Sequence, residues 1–149
     1  MRETRKMQLL SLSEKIIPYN LSHNAEAEAC DLAMELESVE MLERFVDEDS
    51  HTRVCAYLTS CVPYVPDPEN KKLLHSAIRI YEQFQKWPPA LRCAMQLNDP
   101  TVVETILSKC QDDSVRKQLA FMIGRQQVGI FLFPSGIYTF FSVLGLEVC

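Results

Sequence analysis

Histidine and cysteine are the side chains through which this sequence could bind a transition metal or attack an electrophile. His51 and Cys55 lie four residues apart, a spacing that puts two ligands on one face of a helix. Cys61 and His75 follow later in the chain. Zinc prefers such nitrogen and sulfur ligands, but its compact sites use closely spaced ligand pairs that this sequence lacks. The helical pattern also puts Cys61 toward the core and His51 at a helix start, so we predict no metal site.

The cysteines show no pattern of catalysis or redox chemistry. They lie at positions 30, 55, 61, 93, 110 and 149, and none forms a Cys-x-x-Cys pair. Four fall on apolar helical positions, and the apolar stretch 9–12 is too short to act as a secretory signal. Reduced thiols in the cytoplasm or nucleus are therefore expected. A cysteine nucleophile also needs a positioned base and an electropositive pocket, and the sequence identifies neither.

Charge and glycine usage exclude two further classes of function. The net charge is −5, and the basic residues at the start, Arg2, Arg5 and Lys6, are too few for a surface that binds nucleic acid. The four glycines all lie at Gly124 or later, so no glycine-rich phosphate loop can form before them. We predict no catalytic residue, no cofactor and no metal. The sequence identifies no partner-binding residue.

Helical periodicity dominates up to residue 125, without strand patterns, and predicts about seven helices. Their expected starts are Asn24 for the first, Asp49 or Ser50 for the third, Asp67-Pro68, Trp87-Pro88-Pro89, Asp99-Pro100, and Asp113 or Ser114 for the seventh. The residues expected to face inward are Ala29, Leu32, Ala33, Leu36, Val39, Leu42, Phe45, Val46, Val54, Tyr57, Leu58, Cys61, Leu73, Leu74, Ala77, Tyr81, Phe84, Leu91, Ala94, Met95, Val103, Ile106, Leu107, Cys110, Val115, Leu119, Met122 and Ile123.

An internal repeat organises these helices. Residues 29–46 align with residues 90–107 at an offset of 61, with identities that include Ala29/Ala90 and Glu43/Glu104. A unit of this length fits two helical hairpins of the tetratricopeptide class. We therefore predict an all-α fold of antiparallel hairpins stacked as a TPR-like α-solenoid. Its expected parts are a lead at 1–22, a helical-repeat domain at 23–127 with units at 24–86 and 88–127, and an irregular apolar tail at 128–149.

The tail allows two interpretations. Residues 126–146 carry no charged side chain, and a run of this length can cross about 30 Å of bilayer hydrocarbon. One interpretation is therefore a tail-anchored membrane protein with a helical cytosolic head. The Pro-Ser-Gly turn at 134–136 interrupts the run and favours the other, an irregular apolar segment or short hairpin in the place of a closing helix. We favour the second interpretation.

Several long segments resemble one known family. They are SEKIIPYNLSHNAEAEACDLAMELESVEML (13–42), VCAYLTSCVPYVPDPENKKLL (54–74), ALRCAMQLNDPTVVETILSKCQ (90–111) and KQLAFMIGRQ (117–126). Together they resemble the non-ATPase regulatory subunit 2 family, in the base of the 26S proteasome regulatory particle. The resemblance covers residues 13–126, in the same order and spacing.

The resemblance implies a piece of the helical N-terminal rod of such a subunit. This would be a non-catalytic scaffold that contacts the base ATPase and non-ATPase subunits and supports ubiquitin-dependent protein degradation, in the cytoplasm and nucleus. The family's toroid, which binds ubiquitin chains and ubiquitin-like domains, has no counterpart here, so its receptor residues are not carried over. Because both ends depart from the family pattern, we interpret the chain as a truncated isoform or gene model.

Overall fold

The structure, a computed structural model, describes residues 2–125, with side chains from Arg5 onward. Every regular element in this range is helical, so the all-α prediction is confirmed. Two 3₁₀ turns, Val39–Met41 and Val62–Tyr64, accompany the α-helices. The α-helices are α1 (Arg2–Ser22), α2 (Glu26–Glu35), α3 (Leu42–Phe45), α4 (His51–Cys61), α5 (Glu69–Gln83), α6 (Trp87–Leu97), α7 (Pro100–Lys109) and α8 (Asp113–Arg125).

The uncharged run at 126–146 and the predicted tail at 128–149 lie outside the described residues. Within the described part, none of the helices combines the length and the apolar character that a membrane span requires. The described residues fall into two compact units, one that ends at Phe84 and one that begins at Gln85. The sequence-based boundaries of the lead, the two repeat units and the tail stay predictions.

In the first unit, successive helices pack side against side. Helix α1 contacts α2, α2 contacts α4, and α4 contacts α5, while the short α3 contacts both α1 and α5. Burying a large aliphatic side chain stabilises a fold by about 1.5–3 kcal/mol, so this set of contacts supplies a real core. The largest fully buried side chains of the unit are Ile17, Leu42, Val54, Leu58 and Ile80, with Leu73 almost as well covered.

The second unit is built on α6, which packs against both α7 and α8. The aligned alanines Ala90 and Ala94 lie on α6 and are fully buried, which lets the neighbouring helices come close. The fully buried larger side chains of this unit are Leu91, Val103, Ile106, Leu119 and Ile123.

The predicted inward-facing residues are all covered, but some of them only partly. Every residue predicted to face inward is buried or partly buried. Cys61 was assigned to the core face, but it is only partly buried, and its neighbour Cys55 is fully buried instead. The predicted residues that are only partly buried are Leu32, Leu36, Phe45, Tyr57, Cys61, Phe84, Met95, Val115 and Met122.

Three predicted helix starts are confirmed, at α6, α7 and α8. Trp87 begins α6, with the prolines in its first turn, where a missing N–H leaves no hydrogen bond unmade. Asp99 caps α7: its Oδ1 accepts from the backbone N–H of Thr101 at 2.9 Å and from the Thr101 hydroxyl at 2.7 Å. Pro100 then occupies the first helical position.

Two predicted caps, Asn24 at α2 and Asp67 at α5, are not formed. Asn24 does not cap α2; it has a positive φ of 55°, and its Oδ1 accepts from Arg53. At α4, Ser50 occupies the predicted N-cap position without a side-chain cap hydrogen bond, and its own N–H donates to the Asp47 carboxylate at 2.8 Å. Helix α8 begins at the predicted Asp113, and the Asp112 carboxylate accepts from the N–H of Ser114 at 2.8 Å. At α5 the N-cap residue is Pro68, so Asp67 does not cap the helix.

The 61-residue offset reappears in the backbone. Among the described non-glycine residues, positive φ occurs at Asn24, Glu37, Gln85 and Asn98. Asn24 and Gln85 are 61 residues apart and precede α2 and α6, and Glu37 and Asn98 are 61 apart and follow them. Left-handed backbone is unfavourable for such residues, so its recurrence at matched positions is specific. The repeat is therefore seen both in residue identities and in the backbone conformation of the turns that flank α2 and α6.

The helix that the sequence pattern did not predict is α1. It lies in the segment interpreted as an N-terminal lead and packs against α2. Ile17 and Leu21 are buried on one side of it, together with Ser13, whose hydroxyl donates to the Leu10 carbonyl at 2.7 Å. Because these positions recur every three to four residues, one side of α1 belongs to the core of the first unit.

Candidate functional site

His51 is held inside the first unit by contacts on both ring nitrogens. Its Nδ1 lies 2.8 Å from the carbonyl oxygen of Glu48, and its Nε2 lies 3.2 Å from the hydroxyl of Thr52. The ring stacks on Phe84 with centroids 4.3 Å apart. It is only 3% exposed. His51 begins α4, as predicted, and its ring packs that end of α4 against the end of α5.

The structure does not bring the four metal-ligand candidates together. Cys55 directs its thiol toward the carbonyl oxygen of Ala77 at 3.7 Å, inside the α4–α5 contact. His75 lies on a separate surface groove of about 290 Å³, together with Arg79. Among the described residues, no three histidine, cysteine or acidic side chains are grouped closely enough to hold a metal ion.

The described cysteines are arranged for packing. Burial raises the pKa of Cys30 to about 12 and that of Cys93 to about 11. Burial also raises the pKa of Cys110, although less strongly. A raised pKa keeps a thiol protonated and a poor nucleophile at neutral pH. These three cysteines act as small apolar side chains.

Charged residues connect α2 to α4. Arg53 donates from Nε to Oε1 of Glu26 at 2.8 Å, and Tyr57 donates its hydroxyl to Oδ1 of Asp31 at 2.7 Å. The hydrogen bond from Arg53 lowers the pKa of Glu26, and the bond to Asp31 raises the pKa of Tyr57 to about 12. The first shift favours the ionised carboxylate of Glu26, and the second favours the protonated hydroxyl of Tyr57. These are the forms that make the two hydrogen bonds between α2 and α4.

A second polar connection joins α3 to α5. Oε1 of Glu43 accepts from the Ser76 hydroxyl at 3.0 Å and from Arg79 at 3.2 Å. Ser76 is buried, so the carboxylate satisfies a hydroxyl that would otherwise lack a partner in the core. Glu43 is the acidic residue that matches Glu104 in the repeat. Its role in the first unit is structural.

A groove in the first unit has a volume of about 470 Å³. It opens between the end of α2, the 3₁₀ turn at Val39 and the start of α5. Neither histidine nor cysteine lines it. The apolar lining consists of Met34, Val39, Val65, Pro66 and Leu73, and the polar lining of Glu35, Glu37, Glu69 and Lys72.

An exposed apolar surface that the sequence pattern did not predict lies on α1. Leu9, Leu12, Ile16 and Tyr19 are 48%, 52%, 36% and 62% exposed, although the opposite side of the same helix is buried. The sequence signal was present, because these residues are spaced at i, i+3, i+7 and i+10. It was obscured because apolar residues on two sides of one helix leave no single amphipathic face.

The chain is similar to known proteins over most of its length. Residues 1–135 match the family described as the RPN1 N-terminal domain. The chain is similar to the 26S proteasome non-ATPase regulatory subunit 2 of Dictyostelium discoideum, with 38% identity over 121 residues, which is 80% of this chain and 14% of that protein. It is also similar to the 26S proteasome regulatory subunit rpn1 of Schizosaccharomyces pombe, with 39% identity over 120 residues, again 80% and 14%.

A further relative is the 26S proteasome regulatory subunit RPN1 of Candida glabrata, 37% identical over 126 residues, 85% of this chain and 13% of that protein. The chain thus spans about one seventh of the length of these relatives. The matched region includes all eight described α-helices. The resemblance noted in the sequence is confirmed, and the chain belongs to the RPN1 N-terminal domain family.

Proposed function

We propose that this chain is a non-catalytic helical scaffold of the base of the proteasome regulatory particle. It acts through protein–protein contacts and so supports assembly and ubiquitin-dependent protein degradation. The observation that carries this proposal is the match of most of the chain to the N-terminal domain of a proteasome regulatory subunit. The relatives are named as regulatory, non-ATPase subunits, which supports a role without chemistry of its own.

The arrangement of polar groups supports the same role. His51, Glu26 and Glu43 are each engaged in holding one helix to another or to a helix terminus. Stacked helices of this kind hold their outer surfaces in fixed positions, and helical-repeat proteins use such surfaces to bind partners. The proposed mechanism is therefore that a rigid stack of helices presents its outer surface to partner proteins. The proposed partners are the ATPase and non-ATPase subunits of the base, and the proposed location is the cytoplasm and nucleus.

The test is co-purification from cells. The chain is expressed with an affinity tag, recovered under native conditions, and the accompanying proteins are quantified by mass spectrometry against the tag alone. We expect base subunits to be enriched in stoichiometric proportion to one another. A matched variant, Leu58→Asp, places a charge at a fully buried position and should unfold the first unit and lose the enrichment. A well-folded chain that recovers no base subunit would overturn the proposal.

A further inference from the structure

Helix α1 has two distinct sides. Ser13, Ile17 and Leu21 are buried, and the helix contacts α2 and α3. Leu12 and Ile16 lie on another side and are exposed. On an α-helix, residues three and four apart are neighbours, so Leu9, Leu12, Ile16 and Tyr19 form one continuous strip, which we call the α1 strip.

The α1 strip has the spacing by which one helix packs against another. Its members follow the alternating three- and four-residue steps of a helix–helix seam. From Leu9 to Tyr19 the strip extends about 15 Å along the helix axis. His23, four residues beyond Tyr19, stacks on the Tyr19 ring with centroids 4.1 Å apart and prolongs the strip at its end. A partner helix of three turns would cover it.

The charges beside the α1 strip have one sign. Lys15 lies three residues after Leu12 and four before Tyr19, and Arg5 lies four before Leu9. Both are exposed, and neither makes an ion pair within the described residues. The other charged side chains of α1 in this range are engaged elsewhere: Lys6 pairs with Glu37, and Glu14 pairs with Arg44. The border of the strip is therefore cationic, although the chain as a whole carries a net charge of −5.

We propose that the α1 strip binds an amphipathic helix of another polypeptide, whose apolar seam is flanked by Asp or Glu. The apolar residues supply the contact area, and Lys15 and Arg5 select acidic flanks by charge complementarity. A second copy of this chain fits less well, because an antiparallel pairing would bring one Lys15 against the other. The inference rests on the proposed scaffold role and specifies the chemistry of one partner.

The probe is a designed helical peptide of about two heptads, with Leu and Ile in its seam and Glu at the flanking positions. A second peptide carries Lys at the same flanking positions. Binding of each labelled peptide to the full chain is followed by fluorescence anisotropy. We expect the Glu peptide to bind about tenfold more tightly than the Lys peptide, and its binding to weaken as salt rises from about 50 to 500 mM.

Variants of exposed residues keep the fold intact. Leu12→Gln with Ile16→Gln should weaken binding of the Glu peptide about tenfold or more. Lys15→Glu should reduce or reverse the preference between the two peptides. The matched control is Tyr64→Gln, because Tyr64 is an exposed aromatic residue away from α1, and it should bind as the unchanged chain does.

Equal binding of both peptides, or unchanged binding by the Leu12→Gln/Ile16→Gln variant, would overturn the proposal. So would a dimer in sedimentation equilibrium that the same variant abolishes, because the strip would then bind a second copy. Recovery of base subunits by that variant, at the level of the unchanged chain, would overturn this inference and leave the proposed function standing. Loss of base subunits by every form of the chain would overturn the proposed function instead.

Discussion

Arg53 and Glu26 form the closest charged contact between α4 and α2. Nε of Arg53 donates to Oε1 of Glu26 at 2.8 Å, and Nη2 of the same guanidinium lies 2.6 Å from that oxygen. The Glu26 side chain is 9% exposed, whereas that of Arg53 is about half exposed. The carboxylate is therefore held at the edge of the core by a cation that reaches in from solvent, which favours its ionised form.

This pair predicts a pH dependence of stability. The pKa of Glu26 is lowered below its usual 4.5 in the folded chain, so its contribution is fully present above about pH 4.5 and is lost as the pH falls through the lowered value. We expect Glu26→Gln to lower the unfolding midpoint at pH 7, and the difference from the unchanged chain to shrink toward pH 3. Urea unfolding followed by circular dichroism at several pH values measures it.

The control for that prediction is the same substitution in an Arg53→Gln background. Without the guanidinium, the charged form of Glu26 has lost its partner, so the advantage of Glu over Gln at pH 7 should shrink or reverse. An advantage that persists unchanged in this background would show that Arg53 is not its source.

Two Asp-Pro pairs predict different costs of removing the aspartate. Asp99 caps α7 through Thr101, so Asp99→Ala should destabilise the chain by about 1 kcal/mol. Asp67 instead accepts from Lys71 at 3.0 Å in an exposed pair, so Asp67→Ala should cost less than about 0.5 kcal/mol. Equilibrium urea unfolding of the two variants, side by side, decides between them. Equal costs would contradict the difference in capping.

The left-handed turn at Glu37 predicts a stabilising substitution. Its φ of 53° is strained for any residue with a Cβ, so Glu37→Gly should be more stable than Glu37→Ala by about 1 kcal/mol. At the matched position, Asn98→Gly should gain less over the unchanged chain, because asparagine tolerates this conformation better than glutamate does. Thermal unfolding monitored by circular dichroism measures both. A less stable Glu37→Gly than Glu37→Ala would contradict the left-handed assignment.

Thiol burial predicts an order of alkylation. Cys30 and Cys93 are buried with a pKa raised by desolvation, so they should react with iodoacetamide only after local unfolding. Cys61 is partly exposed and should react roughly tenfold faster or more. Peptide mapping by mass spectrometry in a Cys149→Ser background gives the rate at each position. Rapid labelling of Cys30 in the folded chain would contradict its packing.

Local sequence patterns predicted the helices well where one face alone is apolar. Helices α5 to α8 begin within two residues of their predicted starts, because capping and proline effects act over a few residues. The same local rule failed at Asp67, because α5 begins at Glu69 and the Asp67 side chain turns to Lys71. An Asp-Pro dipeptide favours a helix start, but the conformation of the surrounding turn determines whether the aspartate side chain reaches the N–H groups of the first helical turn.

The residues that the sequence could not place depend on distant partners. His51 begins a helix as predicted, but its burial against Phe84, which lies 33 positions later, was not predicted. Nothing in the residues next to His51 indicates that ring. The α1 strip was missed for a related reason, since which apolar side of α1 is covered depends on α2 and α3. Long-range packing determined both outcomes.

The repeat is the feature for which sequence and structure agree most closely. A handful of identities at an offset of 61 predicted it, and the four left-handed residues fall into two pairs at the same offset. Such agreement between side-chain pattern and backbone conformation is expected when both segments are copies of the same structural repeat.

The most direct measurement of the scaffold role is binding of the purified chain to the purified base of the 26S proteasome by biolayer interferometry. We predict saturable binding with a dissociation constant in the micromolar range or tighter, retained by Tyr64→Gln. No binding by a fully helical chain, at concentrations where the base is intact, would contradict it.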